Sequence, residues 1–128
     1  MMKQIIRTDK APKPVGAYSQ AVKAGNTVYF SGQIPLVPET GKMIAGDIAA
    51  QIRQVFKNIQ AVAEAAGGKL SDIVKLNVYL IDLSHFPLIN STMAEFFKEP
   101  YPARAVVQVS ALPRSAEVEV EAVMVLGD

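Results

Sequence analysis

The sequence contains no cysteine and only one histidine, which excludes several kinds of chemistry. Disulfides, thiolate zinc sites and cysteine nucleophiles cannot form, and the composition suits a reducing compartment. A metal site built from several histidines is also excluded, and we interpret His85 as a surface or capping residue. Neither a glycine-rich phosphate loop nor a dinucleotide fingerprint occurs. The sequence therefore gives no signal for a metal site or for a nucleotide cofactor.

The sequence also lacks runs of one charge and long apolar runs. Thirteen basic and twelve acidic residues leave a formal net charge of +1, so we expect no binding to nucleic acid. The N-terminus has no signal-peptide core, and the apolar run at residues 122–126 is too short to cross a bilayer. We expect a cytoplasmic protein that does not associate with membranes.

The length of 128 residues predicts a single domain spanning residues 1–128, with a core that needs no disulfide. Half of the residues are apolar and the mean hydropathy is positive, which is high for a small monomer. We expect part of this apolar surface to be covered by association.

Hydrophobic periodicity, caps and turn residues predict the secondary structure. Strands are predicted at Gln4–Arg7, Ala17–Lys23, Thr27–Gln33, Asp72–Asp82, Arg104–Val109 and Glu117–Leu126, and helices from the cap Asp47 to Ala66 and from the cap Ser84 to Pro100. The order predicts an α+β fold with one mixed sheet of about six strands and both helices on one face. The last two strands are predicted to form a hairpin.

Alternation along the strands predicts which side chains face the helices. In the third strand Val28 and Phe30 share the apolar face and Gln33 lies on the polar one. In the fourth strand Val74 lies on the main apolar face and Ile73 on the other. The last strand directs three glutamates and two valines away from the helices: Glu117, Glu119, Glu121, Val123 and Val125. Such a half-apolar face predicts a homo-oligomer that packs sheet against sheet.

Arg104 lies at the start of an otherwise apolar strand, two residues after Pro102 and four after Pro100. The arginine side chain is a rigid fork of donors that grips a carboxylate or phosphate through two parallel hydrogen bonds. The alternative is a strand-end arginine that extends into solvent.

The ladder formed by Glu117, Glu119 and Glu121 places carboxylates roughly 7 Å apart on one strand face. The face is either solvated or close to the oligomer interface. Near the interface a carboxylate has a raised pKa unless a partner such as Arg104 compensates its charge, and it can then accept a proton from water. Glu119 is our candidate for this base.

Four further positions are candidates for a ligand pocket. Ser31 and Gly32 form either a simple strand end or a polar wall that a small ligand can approach closely. Tyr18 is either a core aromatic or a pocket lid, and Asn90 is by default a solvated amide.

Five motifs together resemble the reactive intermediate deaminase (RidA, YjgF-type) family. They are Gly16–Gln20, Ser31–Pro35, Asn90, Pro102–Arg104 and Glu119–Ala122. The resemblance implies a chorismate-mutase-like fold whose sheets pack into a homotrimeric barrel, with sites between subunits. It also implies hydrolysis of 2-imino acids or enamines, such as 2-iminopropanoate and 2-iminobutanoate, to 2-keto acids and ammonia without a cofactor. That activity protects pyridoxal-phosphate enzymes from these reactive metabolites.

The resemblance assigns roles to individual positions. Arg104 matches the arginine that holds the substrate carboxylate, and Glu119 matches the acidic residue associated with the attacking water. The remaining matches shape the pocket: Tyr18, Ser31, Gly32, Asn90 and Ala105. Many deaminating members have a cysteine where this chain has Val106, so this chain uses no thiol.

A non-catalytic alternative keeps the same fold. In it, the trimer binds a small carboxylate as a regulatory module. The combination of Arg104 and Glu119 favours the enzyme, because a carboxylate sensor has no use for a nearby base.

Overall fold

The computed structural model describes residues 3–127. Within them the order of elements is β1 Lys3–Ile6, β2 Ala21–Ala24, β3 Thr27–Gln33, α1 Ile48–Ala65, β4 Ile73–Leu80, α2 Phe86–Phe96, β5 Ala103–Gln108 and β6 Val118–Val125. Single turns of 3₁₀ helix at Leu70–Asp72, Leu83–His85 and Pro113–Ser115 precede β4, α2 and β6. Neither α-helix in this part of the chain has the length and apolarity needed to span a membrane.

The strands form one six-stranded sheet in the order β1-β2-β3-β6-β4-β5. All neighbours are antiparallel except β4 and β5, which are parallel and connected through α2. The predicted mixed sheet with two helices is confirmed. The predicted hairpin of the last two strands is wrong, because β6 inserts between β3 and β4 while β5 pairs with β4 at the edge. Central placement gives β6 hydrogen-bonded neighbours on both sides.

The first helix follows its prediction closely. The Asp47 side chain accepts a hydrogen bond from the Ala50 backbone N–H at 2.9 Å, which caps α1. Gly67 follows the helix with a φ of +91°, a conformation that side-chain-bearing residues rarely adopt. One stripe of α1 is buried against the sheet and α2, including Ile52, Phe56 and other apolar residues at helical spacing.

The second helix begins one residue later than its predicted cap implies, with His85 rather than Ser84 at the N-cap position. Asp82, rather than Ser84, provides the capping side chain, because its Oδ1 accepts from the Ser84 N–H at 2.9 Å and begins the 3₁₀ turn. α2 then starts at Phe86 with Pro87 in its first turn. His85 is partly exposed, and its Nε2 lies 4.0 Å from the carboxylate of Asp82.

The core lies between the helices and one face of the sheet. The largest fully buried side chains include Phe56, Ile52, Ile59, Leu76, Leu80, Ile89 and Met124. Val118 and Val120 of β6 point into this core, as the alternation predicted. Each such side chain contributes about 1.5–3 kcal/mol when it is fully removed from water.

Two strand faces differ from the prediction because each strand contains a register shift. Between Phe30 and Gln33 the pairing of β3 with β6 shifts, so Gln33 is buried on the helix side opposite Val120. Between Ile73 and Lys75 the pairing of β4 with β6 shifts, which buries Ile73 and leaves Val74 47% exposed. An extra residue reverses the alternation beyond it.

The face of the sheet opposite the helices, called the open face below, carries uncovered apolar side chains. Tyr29 of β3, Val107 of β5 and Val125 of β6 are each more than two-fifths exposed. The predicted half-apolar face is therefore present on the single chain.

Candidate active site

Glu119 lies on the open face of β6, between the buried residues Val118 and Val120. Its carboxylate rests directly against Gly32 of β3, because a Cβ atom placed on that glycine would lie 2.8 Å from the carboxyl carbon of Glu119. Burial raises the pKa of the Glu119 carboxyl, and the negative charge of Glu121 raises it further. The glycine thus makes room for a half-buried carboxylate that holds a proton more readily than usual.

A cavity of about 700 Å³ lies beside Glu119. Four of the predicted site residues line it together: Tyr18, Ser31, Gly32 and Glu119. Lys13, Arg114 and Glu121 also line it. The cavity is large enough for a small organic acid together with water.

The loop before β2 closes one wall of this cavity. The strand predicted from Ala17 begins only at Ala21, and Tyr18 in the preceding loop is half exposed at the cavity. The Ser31 hydroxyl donates to the Ser19 carbonyl at 2.6 Å, so its proton is committed to the loop. Ser31 therefore fixes the wall and presents only its oxygen lone pairs.

Gln20 is a buried residue to which sequence reasoning gave no role. Its Oε1 accepts from the Thr8 N–H at 2.8 Å, and its Nε2 donates to the carbonyls of Thr8 and Pro12. One side chain thus satisfies several backbone groups of the proline-rich segment and holds that segment over the cavity. The sequence feature that could have indicated this role is the presence of Gln20 in the motif Gly16–Gln20.

Arg114 closes the other side of the cavity. Its Nη1 donates to the Gly41 carbonyl at 3.0 Å, which joins the turn before β6 to the loop before α1. Both Arg114 and Ser115 have positive φ values, 56° and 57°. The sequence predicted only that this segment connects the last two strands, with no contact to the site.

Arg104 lies on the opposite side of the sheet, against α2. Its Nη1 donates to Asn90 Oδ1 at 2.7 Å, and its guanidinium lies 5.2 Å from the centre of the Phe86 ring. Arg104 and Asn90 line a second cavity of about 490 Å³, together with Met93 and Tyr101. Asn90, a predicted pocket residue, is therefore the partner that orients the arginine.

The structure does not bring Arg104 and Glu119 together within one chain. Arg104 pairs with Leu76 on β4, and Leu76 pairs with Ala122 on β6, so a full strand separates the two side chains. The expectation that the glutamates lie on the strand adjoining Arg104 is wrong. Ala105 follows on β5 and is exposed at the sheet edge, opposite Asn77.

The predicted ladder contains two carboxylates rather than three. Glu117 precedes β6, and its carboxylate accepts a hydrogen bond from Gln51 Nε2 of α1 at 2.7 Å. Glu121 remains on the open face, where Tyr79 Oη donates to its Oε1 at 2.6 Å and Asn77 Nδ2 donates at 3.1 Å. The hydrogen bond between Tyr79 and Glu121 is the main cause that raises the pKa of Tyr79 to about 12. Among residues 3–127, acidic and histidine side chains form no group suited to a metal ion.

Comparisons with known proteins agree with this architecture. A family model described as endoribonuclease L-PSP matches residues 8–126. A relative from Dermatophagoides farinae named 2-iminobutanoate/2-iminopropanoate deaminase is 49% identical over 124 residues, which cover 97% of each chain. The crystal structure of RidA from an Antarctic Psychrobacter superposes with a TM-score of 0.93 at 55% identity and covers 96% of this chain and 99% of that one. E. coli TdcF with bound serine gives 0.91 at 41% identity, covering 97% and 99%.

The molecule is thus an α+β protein with a carboxylate-lined cavity on the face of its sheet that the helices leave open. The chain belongs to the endoribonuclease L-PSP family, which is the RidA (YjgF-type) family that its motifs resemble. One relative in this family is named as an imine deaminase.

Proposed function

We propose that the protein hydrolyses 2-imino acids and their enamine tautomers, such as 2-iminopropanoate and 2-iminobutanoate, to 2-keto acids and ammonia. The observation that carries the proposal is the carboxylate of Glu119, which is half buried in a cavity of about 700 Å³ and has a raised pKa. Such a group is suited to accept a proton from water near neutral pH. A deaminase among the relatives and serine bound to E. coli TdcF support a small amino-acid-like substrate.

The complete site is proposed to form between copies of the chain in a homotrimer. Arg104 and Glu119 lie on opposite faces of one sheet, so a second copy must supply the arginine to the cavity of the first. The exposed apolar side chains of Tyr29, Val107 and Val125 supply a surface for that contact. At about 25 cal/mol per Å² of apolar area, covering them stabilises the assembly by several kcal/mol.

Arg104 binds the substrate carboxylate in this mechanism. Asn90 occupies Nη1, so the parallel pair of Nε and Nη2 faces the carboxylate as a fork. This grip orients the imine carbon toward the wall formed by Ser31 and Gly32. Orientation of this kind supplies much of the rate increase in reactions that already proceed slowly in water.

Glu119 then acts on water. Its carboxylate takes a proton from a water molecule whose oxygen bonds to the carbon of the protonated imine, which gives a neutral carbinolamine. The protonated Glu119 returns that proton to the amine nitrogen. The carbon–nitrogen bond breaks, the hydroxyl proton returns to Glu119, and a keto acid and ammonia leave. Glu119 releases the last proton to ammonia, which becomes ammonium.

A coupled assay tests the function. A dehydratase that acts on threonine generates 2-iminobutanoate, and its decay is followed with and without the protein. We expect clear acceleration that depends on protein concentration. No acceleration, together with measurable binding of 2-oxobutanoate, would support a carboxylate-binding module instead. In a cell, the proposed activity would protect pyridoxal-phosphate enzymes in the cytoplasm.

RNA cleavage, which the description of the family model names, is not the function proposed for this chain. The formal net charge is only +1 and the sequence has no basic run, whereas a phosphate backbone requires clustered positive charge.

A further inference from the structure

Glu121 is fixed more firmly than an ordinary surface glutamate. Tyr79 and Asn77, both on β4, donate hydrogen bonds to the same oxygen, Oε1, at 2.6 and 3.1 Å. Hydrogen bonds to an ionised carboxylate are short and strong, and two donors from one strand leave the side chain little freedom. A negative charge is therefore held at a defined place on the open face.

The position of Tyr79 connects this cluster to Glu119. Tyr79 is the direct cross-strand partner of Glu119, yet its hydroxyl donates to Glu121, two residues farther along β6. The phenol ring thus lies beside Glu119, while its hydroxyl proton is donated to Glu121. Side chains two residues apart on one strand face are roughly 7 Å apart, so the fixed charge lies close to Glu119.

We propose that Glu121, held by Tyr79 and Asn77, is a positioning residue that keeps a negative charge beside Glu119 and makes Glu119 a stronger base. The idea rests on the proposed hydrolysis, in which Glu119 takes a proton from water. It assigns Glu121 no contact with the substrate.

A fixed neighbouring charge of the same sign makes ionised Glu119 less stable, which increases its affinity for a proton. The pKa of Glu119 is raised, in agreement with this effect. Burial is the larger cause, and the charge of Glu121 is the next. The titratable or charged groups around Glu119 are its cross-strand partner Tyr79 and four residues that line the cavity: Glu121, Tyr18, Lys13 and Arg114. In the proposed trimer, Arg104 of a second copy joins them and opposes the effect of Glu121.

The test compares pH profiles of kcat/KM for imine hydrolysis. Glu121→Gln removes the charge but keeps an oxygen that accepts from Tyr79 and Asn77. In the pH profile of kcat/KM, we expect the acidic limb, where activity rises as Glu119 ionises, to move to lower pH by roughly half a unit. We also expect the plateau rate to fall, because Glu119 becomes a weaker base. Glu117→Gln is the matched control, because its carboxylate contacts Gln51, and it should leave the limb in place.

A second measurement does not depend on activity. Carbon-13 NMR of glutamate-labelled protein follows the titration of the Glu119 carboxyl. The Glu119 signal is identified as the one missing from the spectrum of Glu119→Gln. Glu121→Gln should lower its midpoint by roughly the same half unit. Tyr79→Phe should shift it in the same direction but less, because Glu121 loses its shorter hydrogen bond. This variant also provides the test if Glu121→Gln does not fold.

An unchanged Glu119 midpoint in a folded variant would overturn the proposal, as would an equal shift in Glu117→Gln. If the midpoint moves but the acidic limb does not, Glu121 affects ionisation without supporting catalysis, and the proposal is again wrong. If the wild type does not hydrolyse imines at all, the proposed function fails. The NMR result then separately reports whether Glu121 controls the Glu119 proton.

Discussion

Arg104 and Glu119 lie on opposite faces of the same sheet, with β4 between the strands that carry them. Arg104 contacts Asn90 on the helix side, whereas Glu119 lines the cavity on the open face. Arg104 and Glu119 of one chain are therefore too far apart to contact the same substrate molecule in the proposed hydrolysis. The predictions below follow from this separation and from the packing around Glu119.

Replacement of Arg104 by lysine should remove most of the activity. An ammonium group cannot reproduce the two parallel hydrogen bonds of the guanidinium, and a hydrogen bond to a charged group is worth about 1.5–3 kcal/mol. We expect kcat/KM to fall roughly 10- to 100-fold. Arg53→Lys is the control, because Arg53 makes a comparable paired contact with Glu95 on the outer surface of the helices. Wild-type rates in Arg104→Lys would contradict the carboxylate-binding role.

Two inactive variants should restore activity when they share a trimer. Arg104→Ala and Glu119→Gln each lack one half of the site, yet a mixed assembly contains interfaces with both intact halves. Random mixing in equal amounts gives a functional pair at about a quarter of the interfaces. Steady-state rates after joint refolding measure this recovery, and separately refolded variants mixed without exchange are the control. No recovery in verified mixed trimers would place both residues of a site on one chain.

Replacement of Gly32 by alanine should reduce activity more than stability. The new Cβ would come within 2.8 Å of the Glu119 carboxyl carbon and displace the carboxylate. The displaced group is the end of a flexible side chain, so the fold can absorb the change. We expect a clear fall in kcat with a small change in Tm. Gly127→Ala is the control, because a Cβ there meets no atom within 4 Å. Unchanged kcat would show that the position of Glu119 against Gly32 is unimportant.

Tyr79 should ionise later than an ordinary tyrosine. Its hydrogen bond to Glu121 is the main cause that raises its pKa from 10.0 to about 12. Between these values the folded protein retains a proton that the unfolded chain has lost, so stability should fall as pH rises from about 10 to about 12. Ultraviolet absorbance of tyrosinate measures the titration. Tyr79→Phe should remove the late component, and Tyr29→Phe should leave it.

Elements with a local signal were predictable from the sequence. α1 follows from apolar residues at helical spacing, the cap Asp47 and the terminal Gly67. The open face of β6 follows from strict alternation, which correctly placed Glu119 away from the buried Val118 and Val120. These features depend on residues a few positions apart, where backbone geometry alone decides which side chains share a face.

Features that depend on distant pairing were not predictable. The insertion of β6 between β3 and β4 joins segments that no local pattern connects. Glu117 does not belong to the carboxylate ladder, because its carboxylate accepts a hydrogen bond from Gln51, which is 66 residues away in the sequence. Ile73 and Val74 exchanged faces because pairing with β6 forces a register shift. Asn90 was assigned to the pocket, but its contact with Arg104 depends on how α2 packs over β5.

β5 has a hydrogen-bonded neighbour on one side only, whereas β6 pairs along both of its sides. Amide groups of an edge strand exchange with solvent through small local openings, and those of a central strand exchange only when much of the domain opens. We therefore expect heat to loosen the strand that carries Arg104 before the strand that carries Glu119. Thermal inactivation should begin at the guanidinium half of the site while the remainder of the sheet is still intact.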